Sequence, residues 1–292
     1  MPVLITPQAA SAPALAVPRL RAPASACDCH MHVFDPRFPA LSDASFTPPT
    51  ADIDAYRAVQ ARLGLERVVM VQSLAYGADN RCMLEALAAL GENARGVAVV
   101  RPEVPDAELE RLTAAGVRAV RFLMVPGGAL PWESLPAVAA RVHEFGWHLN
   151  LQMDGRELPE RAALLRALPG QLIVDHVGMF KEPIAPTHPA FCALLDLLEG
   201  GRAWVKLSAP YAGGLTGPPP YREIGVLARQ LVATAPDRML WGSDWPHVFS
   251  TQVRKRPAED DAMLLDLLLD WVDSERTRNA ILTDNPARLF GF

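Results

Sequence analysis

Eight short runs of β-branched and apolar residues recur along the chain, each followed by a longer amphipathic stretch. The runs are CDCHMHVF (27–34), RVVMVQS (67–73), RGVAVV (95–100), AVRFLM (119–124), WHLNLQ (147–152), LIVDHV (172–177), AWVKLS (203–208) and MLWGSD (239–244). Each is of strand length, and several are nearly continuous in apolar residues, as expected of strands covered on both faces in a parallel sheet. The stretches between them read as helices. DIDAYRAVQARLG, DNRCMLEALAALG and DAELERLTAAG each open on an aspartate, a favoured cap, and close on a glycine, the favoured residue just past a helix end. PAVAARVHEFG, PERAALLRALPG and FCALLDLLEGG repeat the closing glycine, and 222–235 and 259–283 complete the alternation. Eight β-α units in series predict an α/β fold of the (β/α)8 TIM-barrel type. A doubly wound open sheet is the alternative, but no Gly-rich phosphate loop follows the first run.

A single barrel is expected over residues 26–292. Half of the residues are hydrophobic, enough for one large core. Residues 1–25 read as an irregular Pro/Ala-rich N-terminal arm. They end in small residues before a cysteine, as a secretory leader does. However, no lysine or arginine precedes the apolar stretch, and Pro7, Pro13 and Pro18 interrupt it. No apolar run reaches the ~18–20 residues of a membrane span, so no membrane partner is expected. A net charge of −5 argues against a nucleic-acid partner, which calls for a basic face. Cys27, Cys29, Cys82 and Cys192 are too sparse for a disulfide scaffold and fit a reducing cytoplasm. A monomer or small homo-oligomer is expected.

The longest unpatterned stretches, 34–51, 178–188, 209–221 and 245–258, follow the first, sixth, seventh and eighth runs. In such barrels the loops after strands build the active site. Strict alternation along the first strand puts Asp28, His30 and His32 on the inner face and Cys27, Cys29 and Met31 on the outer one. His176 then lies at the end of the sixth strand, and Asp244 and His247 at the end of the eighth. Arg121, inside an apolar strand, needs a partner such as a substrate carboxylate. Gln152 and Asp154, after the fifth strand, either bind hydroxyls or cap the loop. Tyr76 and Tyr211 lie in the loops after the second and seventh strands. Lys206 reads as a structural ion-pair partner, Trp241 and Trp245 as wall, and His143 and His148 as structural.

The ordered set D-x-H-x-H, R-F, D-H-x-G, W-G-S-D-W-P-H and N-P-A-R-L-F resembles the amidohydrolase superfamily over residues 26–292, and most closely its amidohydrolase-2-like lactonase branch. That resemblance implies a TIM barrel with catalytic His30, His32, His176 and Asp244. Arg121, Gln152, Asp154, Tyr211, Tyr76 and His247 become candidate substrate contacts. Where two-metal members carry Lys or Glu and His, this chain has Arg121 and Gln152, so a binuclear centre is not expected. The branch implies no required cofactor; the alternative is one divalent metal, zinc, on His30, His32 and Asp244 with His176. The implied substrate is a small carboxylated lactone, of sugar-acid type by loop similarity. The pyrone-dicarboxylate members' second and third substrate arginines fall near Gly127 and Ala212 here. The implied activity is a lactonase-type hydrolase. Lactone isomerisation at the same site and zinc-dependent non-oxidative decarboxylation are the alternatives.

Overall fold

The structure, a computed structural model, describes residues 16–125, 128–213, 217–218 and 221–292. Each apolar run supplies a parallel strand paired with its sequence neighbour: β1 (Cys27–Met31), β2 (Arg67–Val71), β3 (Ala94–Ala98), β4 (Val117–Leu123), β5 (His148–Gln152), β6 (Leu172–Val174), β7 (Ala203–Leu207) and β8 (Met239–Trp241). Beyond β8 the chain returns to β1. The Asp244 amide bonds the His30 carbonyl and the His32 amide bonds the Trp245 carbonyl, both at 2.8 Å, which closes the (β/α)8 barrel. The helices outside it are α1 (Ile53–Leu63), α2 (Arg81–Leu90), α3 (Asp106–Ala114), α4 (Leu135–Glu144), α5 (Leu158–Ala167), α6 (Pro189–Glu199), α7 (Arg222–Thr234) and α8 (Asp261–Trp271). The expected stretch 259–283 divides into α8 and α9 (Glu275–Leu282), and α10 (Asp284–Phe290) follows. Asp52 caps α1 by accepting from the Ala55 amide at 2.9 Å. Gly64 ends that helix at φ +73°, a left-handed conformation costly for any other residue.

The barrel interior changes character along its axis. One cluster of Val69, Val97, Ala119, Ile173 and Leu240 packs with Leu289 and Phe290 of α10. The His148 ring nitrogen bonds the Leu289 carbonyl at 2.6 Å, which fixes α10 against the amino end of β5. Towards the carboxyl ends of the strands the inward residues become polar: Arg121, Asn150, Asp175 and Lys206, all buried.

The alternation expected for the first strand fails at one point. Asp28 pairs with Val68, and Met31 with Met70, so three steps of β1 match two of β2. That extra residue is a β-bulge. It leaves Cys27 and Cys29 inside the barrel, in the cluster of Val69 and Ile173, and turns Asp28 outward towards α1. Asp28 accepts from Tyr56 Oη (3.0 Å), Ser243 Oγ (2.6 Å) and the amides of His30 and Ser243 (3.0 Å each). Burial pushes its carboxyl up to about 6 even though these four donors pull the other way. Past the bulge His30 and His32 still face inward, the orientation the alternation predicted for them.

Gly242, the glycine of W-G-S-D, is required by this closure. A Cβ there would lie 2.7 Å from His30 Cβ and 2.9 Å from His30 N. The described part of the arm lies on the barrel's outside: Leu20 is buried, its amide bonds Asp266 at 2.8 Å, and Arg62 reaches the Ala16 carbonyl at 3.1 Å. Residues 1–15 and Gly127, noted above as standing where an arginine falls in relatives, lie outside the described residues. Among the described residues no helix is long and apolar enough to cross a membrane.

Candidate active site

A cavity of about 300 Å³ opens at the carboxyl end of the barrel. Its lining comes from the ends of seven of the eight strands and the segments after them, with His32, Arg121, Gln152, His176 and Asp244 among the polar groups. The backbone is strained where these segments leave the sheet. His176, Val177, Met179, Ala209, Asp244 and His247 all have φ between +43° and +59°. Such conformations persist only where the surroundings hold them, and they gather at functional sites.

Asp244 is the centre of the polar floor. Its Oδ1 lies 3.5 Å from His32 Nε2 and 3.6 Å from His30 Nε2, and its Oδ2 accepts from Tyr211 Oη at 2.7 Å. Burial alone would raise its carboxyl. The imidazoles of His176, His32 and His30 outweigh burial and hold it well below the usual carboxylate range, so Asp244 stays ionised. Burial, with the charges of Lys206 and Arg121, pulls the His176 ring below its ordinary value. Its Nδ1 meets Ser208 Oγ at 2.9 Å.

Tyr211 and His247 were expected to touch substrate. The structure sets both behind Asp244 instead, outside the cavity lining. Tyr211 Oη also meets His247 Nδ1 at 3.1 Å, and His247 Nε2 meets Asp261 Oδ1 at 2.8 Å. Arg62 closes the chain by donating to Asp261 Oδ2 at 2.6 Å. Burial raises the Tyr211 hydroxyl well above its usual range, with Asp244 adding to it, so it remains a donor. Burial lowers the His247 ring, but the Asp261 bond and charge outweigh it and the net shift is upward. The series Asp261, His247, Tyr211, Asp244 is thus a brace for the carboxylate.

Arg121 enters the cavity from β4. Its Nη1 donates to the Gln72 carbonyl at 2.6 Å and its Nη2 to Gln152 Oε1 at 2.7 Å. Its buried Nε has no hydrogen-bond partner among the described residues. Gln152 is therefore as much an Arg121 support as a substrate contact. Two other candidates are not brought to the site. Tyr76 closes a turn, its hydroxyl against the Asp35 backbone at 3.2 and 3.4 Å. Asp154 caps the turn after β5 and pairs with Arg156 at 2.7 Å, the capping role rather than the hydroxyl-binding one.

A profile of the amidohydrolase family matches residues 27–292. This chain belongs to the amidohydrolase family. It is 36% identical to a 2-pyrone-4,6-dicarboxylate hydrolase of Comamonas testosteroni, over 94% of this chain and 92% of that one. It is 34% identical to a D-galactarolactone isomerase of Agrobacterium fabrum, over 92% and 91% respectively. A solved Agrobacterium tumefaciens structure matches it with a TM-score of 0.87 at 32% identity, covering 94% of this chain and 99% of its own. The chain is an amidohydrolase-type hydrolytic enzyme.

For an ion in this amidohydrolase, His30, His176 and Asp244 offer ligand atoms within 4.8 Å of one another, and His32 Nε2 is close by. Imidazole and carboxylate suit zinc in type. His32 also has the outer support of a metal ligand: its Nδ1 donates to the Val71 carbonyl at 2.8 Å, which turns Nε2 towards the cavity floor. His30 does not. Its Nδ1 faces the Lys206 ammonium at 3.0 Å. Lys206, read from sequence as an ion-pair partner, does pair with Asp175 at 3.1 Å. Its position beneath a site histidine had no sequence signal beyond a lysine inside an apolar strand.

Proposed function

We propose that this amidohydrolase opens the ring of a small acid-bearing lactone by addition of water. Asp244 takes a proton from the attacking water as general base. His30 and His176 stabilise the negative charge that develops on the carbonyl oxygen, a contribution of about 2.7–4 kcal/mol for a well-placed donor. The tetrahedral intermediate collapses with cleavage of the ring C–O bond. The ring oxygen takes back the proton held by Asp244 and leaves as a hydroxyl, giving a hydroxy acid. A carboxylate held as low as Asp244 is a weak base while the imidazoles face it. Once those donors turn to the substrate carbonyl, the carboxylate loses their stabilisation and its basicity rises. The single observation that carries this reading is the placement of an ionised carboxylate 3.5–3.6 Å from two imidazole nitrogens at the cavity floor.

The cavity also bears on substrate class. Arg121 supplies a deep cation for an acid group, and the half-exposed Lys181 adds a second to the lining. Phe34, Phe46, Leu74, Leu123, Val248 and Phe249 form much of the remaining wall. A polyhydroxylated sugar acid would leave hydroxyls unpaired against that wall, at about 1–3 kcal/mol for each buried group. The wall therefore favours an acid-bearing lactone with an apolar or unsaturated body over the sugar-acid type expected from the loops.

If a hydroxyl of the substrate replaces water, the same floor moves the lactone to a new position. The galactarolactone isomerase relative keeps that second reading in view. A panel of acid-bearing lactones, sugar-derived and apolar, followed by acid release and by NMR of the products, tests the proposal. Ring-opened hydroxy acid from the apolar members is the expected result. Turnover of sugar-acid lactones alone would reverse the substrate assignment, and no ring opening of any member would sink the hydrolase reading.

A further inference from the structure

We infer that Lys206 holds His30 in the tautomer with its proton on Nε2, which makes His30 a hydrogen-bond donor at the cavity floor and withdraws it from metal ligation. Both ends of the ring point to this assignment. At one end, an ammonium is a donor only. The Lys206 Nζ lies 2.6 Å from Asn150 Oδ1 and 3.0 Å from His30 Nδ1, its two hydrogen-bond acceptors, and forms an ion pair with Asp175 Oδ1 at 3.1 Å. A proton on His30 Nδ1 would set two donors against each other at 3.0 Å. At the other end, His30 Nε2 faces Asp244 Oδ1 at 3.6 Å and has no hydrogen-bond partner among the described residues. A proton on Nε2 gives the Asp244 carboxylate a donor on this side.

One contact favours the opposite tautomer: Asp175 Oδ1 lies 3.3 Å from His30 Nδ1. It is the longer of the two Nδ1 contacts and makes no hydrogen bond; Asp175 Oδ1 is ion-paired with Lys206 at 3.1 Å, and Oδ2 accepts from Asn150 Nδ2 at 2.7 Å. Lys206, His30, Asn150 and Asp175 are all fully buried, so water does not compete for these protons.

The consequence is an asymmetric pair. His32, bonded to a backbone carbonyl through Nδ1, has the support that metal-binding histidines use, and His30 has the reverse. Binding an ion at His30 Nε2 requires displacing its proton to Nδ1, against the ammonium. Without Lys206, Asp175 becomes the only partner for Nδ1, and a carboxylate–histidine pair releases Nε2 for a metal. Outer-shell partners of this kind tune metal affinity by about 10–100-fold. On this account one buried lysine decides whether the His/His/Asp floor works by hydrogen bonds or recruits a cation. As a hydrogen-bond assignment it stands apart from the lactone reading; as a catalytic role for His30 it rests on that reading.

The test uses the full chain. Imidazole-¹⁵N NMR of the wild type is assigned through His30→Gln and recorded before and after zinc. Lys206→Met is measured the same way, and both proteins are loaded with zinc, gel-filtered and assayed for bound metal. We expect the wild-type His30 to carry its proton on Nε2 and to retain far less than one zinc per chain. We expect Lys206→Met to move the proton to Nδ1 and to bind zinc at least ~10-fold more tightly, within the range given above. A wild-type proton on Nδ1, or zinc retained at about one per chain with the His30 signal shifted, overturns the inference. A folded Lys206→Met with its tautomer unchanged does the same. If that variant fails to fold, the wild-type spectrum still decides. Failure of every lactone in the panel, with the predicted tautomer observed, would count against the function and not against this assignment.

Discussion

The Tyr211 hydroxyl donates to Asp244 Oδ2 at 2.7 Å, leaving Oδ1 to face the histidines. The two oxygens of one carboxylate are thereby given separate work. One is tied to the brace through His247 and Asp261, and the other, on the proposed mechanism, takes the proton from water. Tyr211→Phe removes the tie and little volume. Misplacement of a reacting group by about 1 Å costs up to roughly 10²-fold in rate. The variant is expected to lose about 10–100-fold in kcat with little change in KM, measured by steady-state kinetics on the best lactone of the panel. A rise confined to KM would return Tyr211 to the role of substrate contact.

Arg121→Met is expected to act on binding. A hydrogen bond to a charged group contributes about 1.5–3 kcal/mol, or roughly 10–150-fold. The variant's kcat/KM for acid-bearing lactones should fall by that amount, chiefly through KM, while an uncharged analogue of the same ring should be turned over nearly as before. Equal losses on both substrates would show that Arg121 organises Gln152 and the Gln72 carbonyl rather than the substrate.

Gly242→Ala tests the packing behind the site. Its Cβ would meet His30 Cβ at 2.7 Å and His30 N at 2.9 Å. Neither can yield without moving β1, so the expected cost is that of overpacking, about 1–3 kcal/mol. Thermal unfolding should report a lower Tm, with activity reduced more than stability because His30 is the residue displaced. An unchanged Tm would mean that β1 and β8 pack more loosely than their backbone bonds imply.

The depressed Asp244 carboxyl carries a pH signature. Its folded-state pKa lies below the unfolded value, so the stability it contributes is present above about 3.9 and is lost as the pH falls further, through the folded value. Asp244→Asn lacks this contribution at every pH. The Tm difference between wild type and variant should therefore be steady from neutrality to mild acid and should shift against the wild type only below that range. A difference that changes near neutral pH would point to the histidines as the titrating groups.

The sequence made the barrel legible because its signal is repetitive: eight runs in series, with closing glycines where the helices end. His32, His176 and Asp244 were legible because each closes a strand, and strand ends converge in this architecture. Three things were not. The bulge in β1 inserts one residue by a local backbone change that no residue type announces, so Asp28 and the two cysteines were assigned to the wrong faces. Tyr211 and His247 were read as substrate contacts because a loop residue's neighbours depend on how the loop folds back. Here it folds onto Asp261, the first residue of α8. Lys206 was recognised as a structural ion-pair partner, yet its nearness to His30 Nδ1 arises across the barrel, between strands far apart in the chain. The apolar wall has no sequence signal for the same reason: Phe34, Leu74, Leu123 and Val248 come from four different strands or the loops after them.

The proposed chemistry depends first on Asp244 as the base that activates water. Its most direct test is the turnover of Asp244→Asn on the preferred lactone, with binding of the ring-opened product measured in parallel. General-base catalysis contributes about 10²–10⁴-fold. The account predicts a loss of kcat in that range with product binding retained. An Asp244→Asn variant that turns over at the wild-type rate would contradict it.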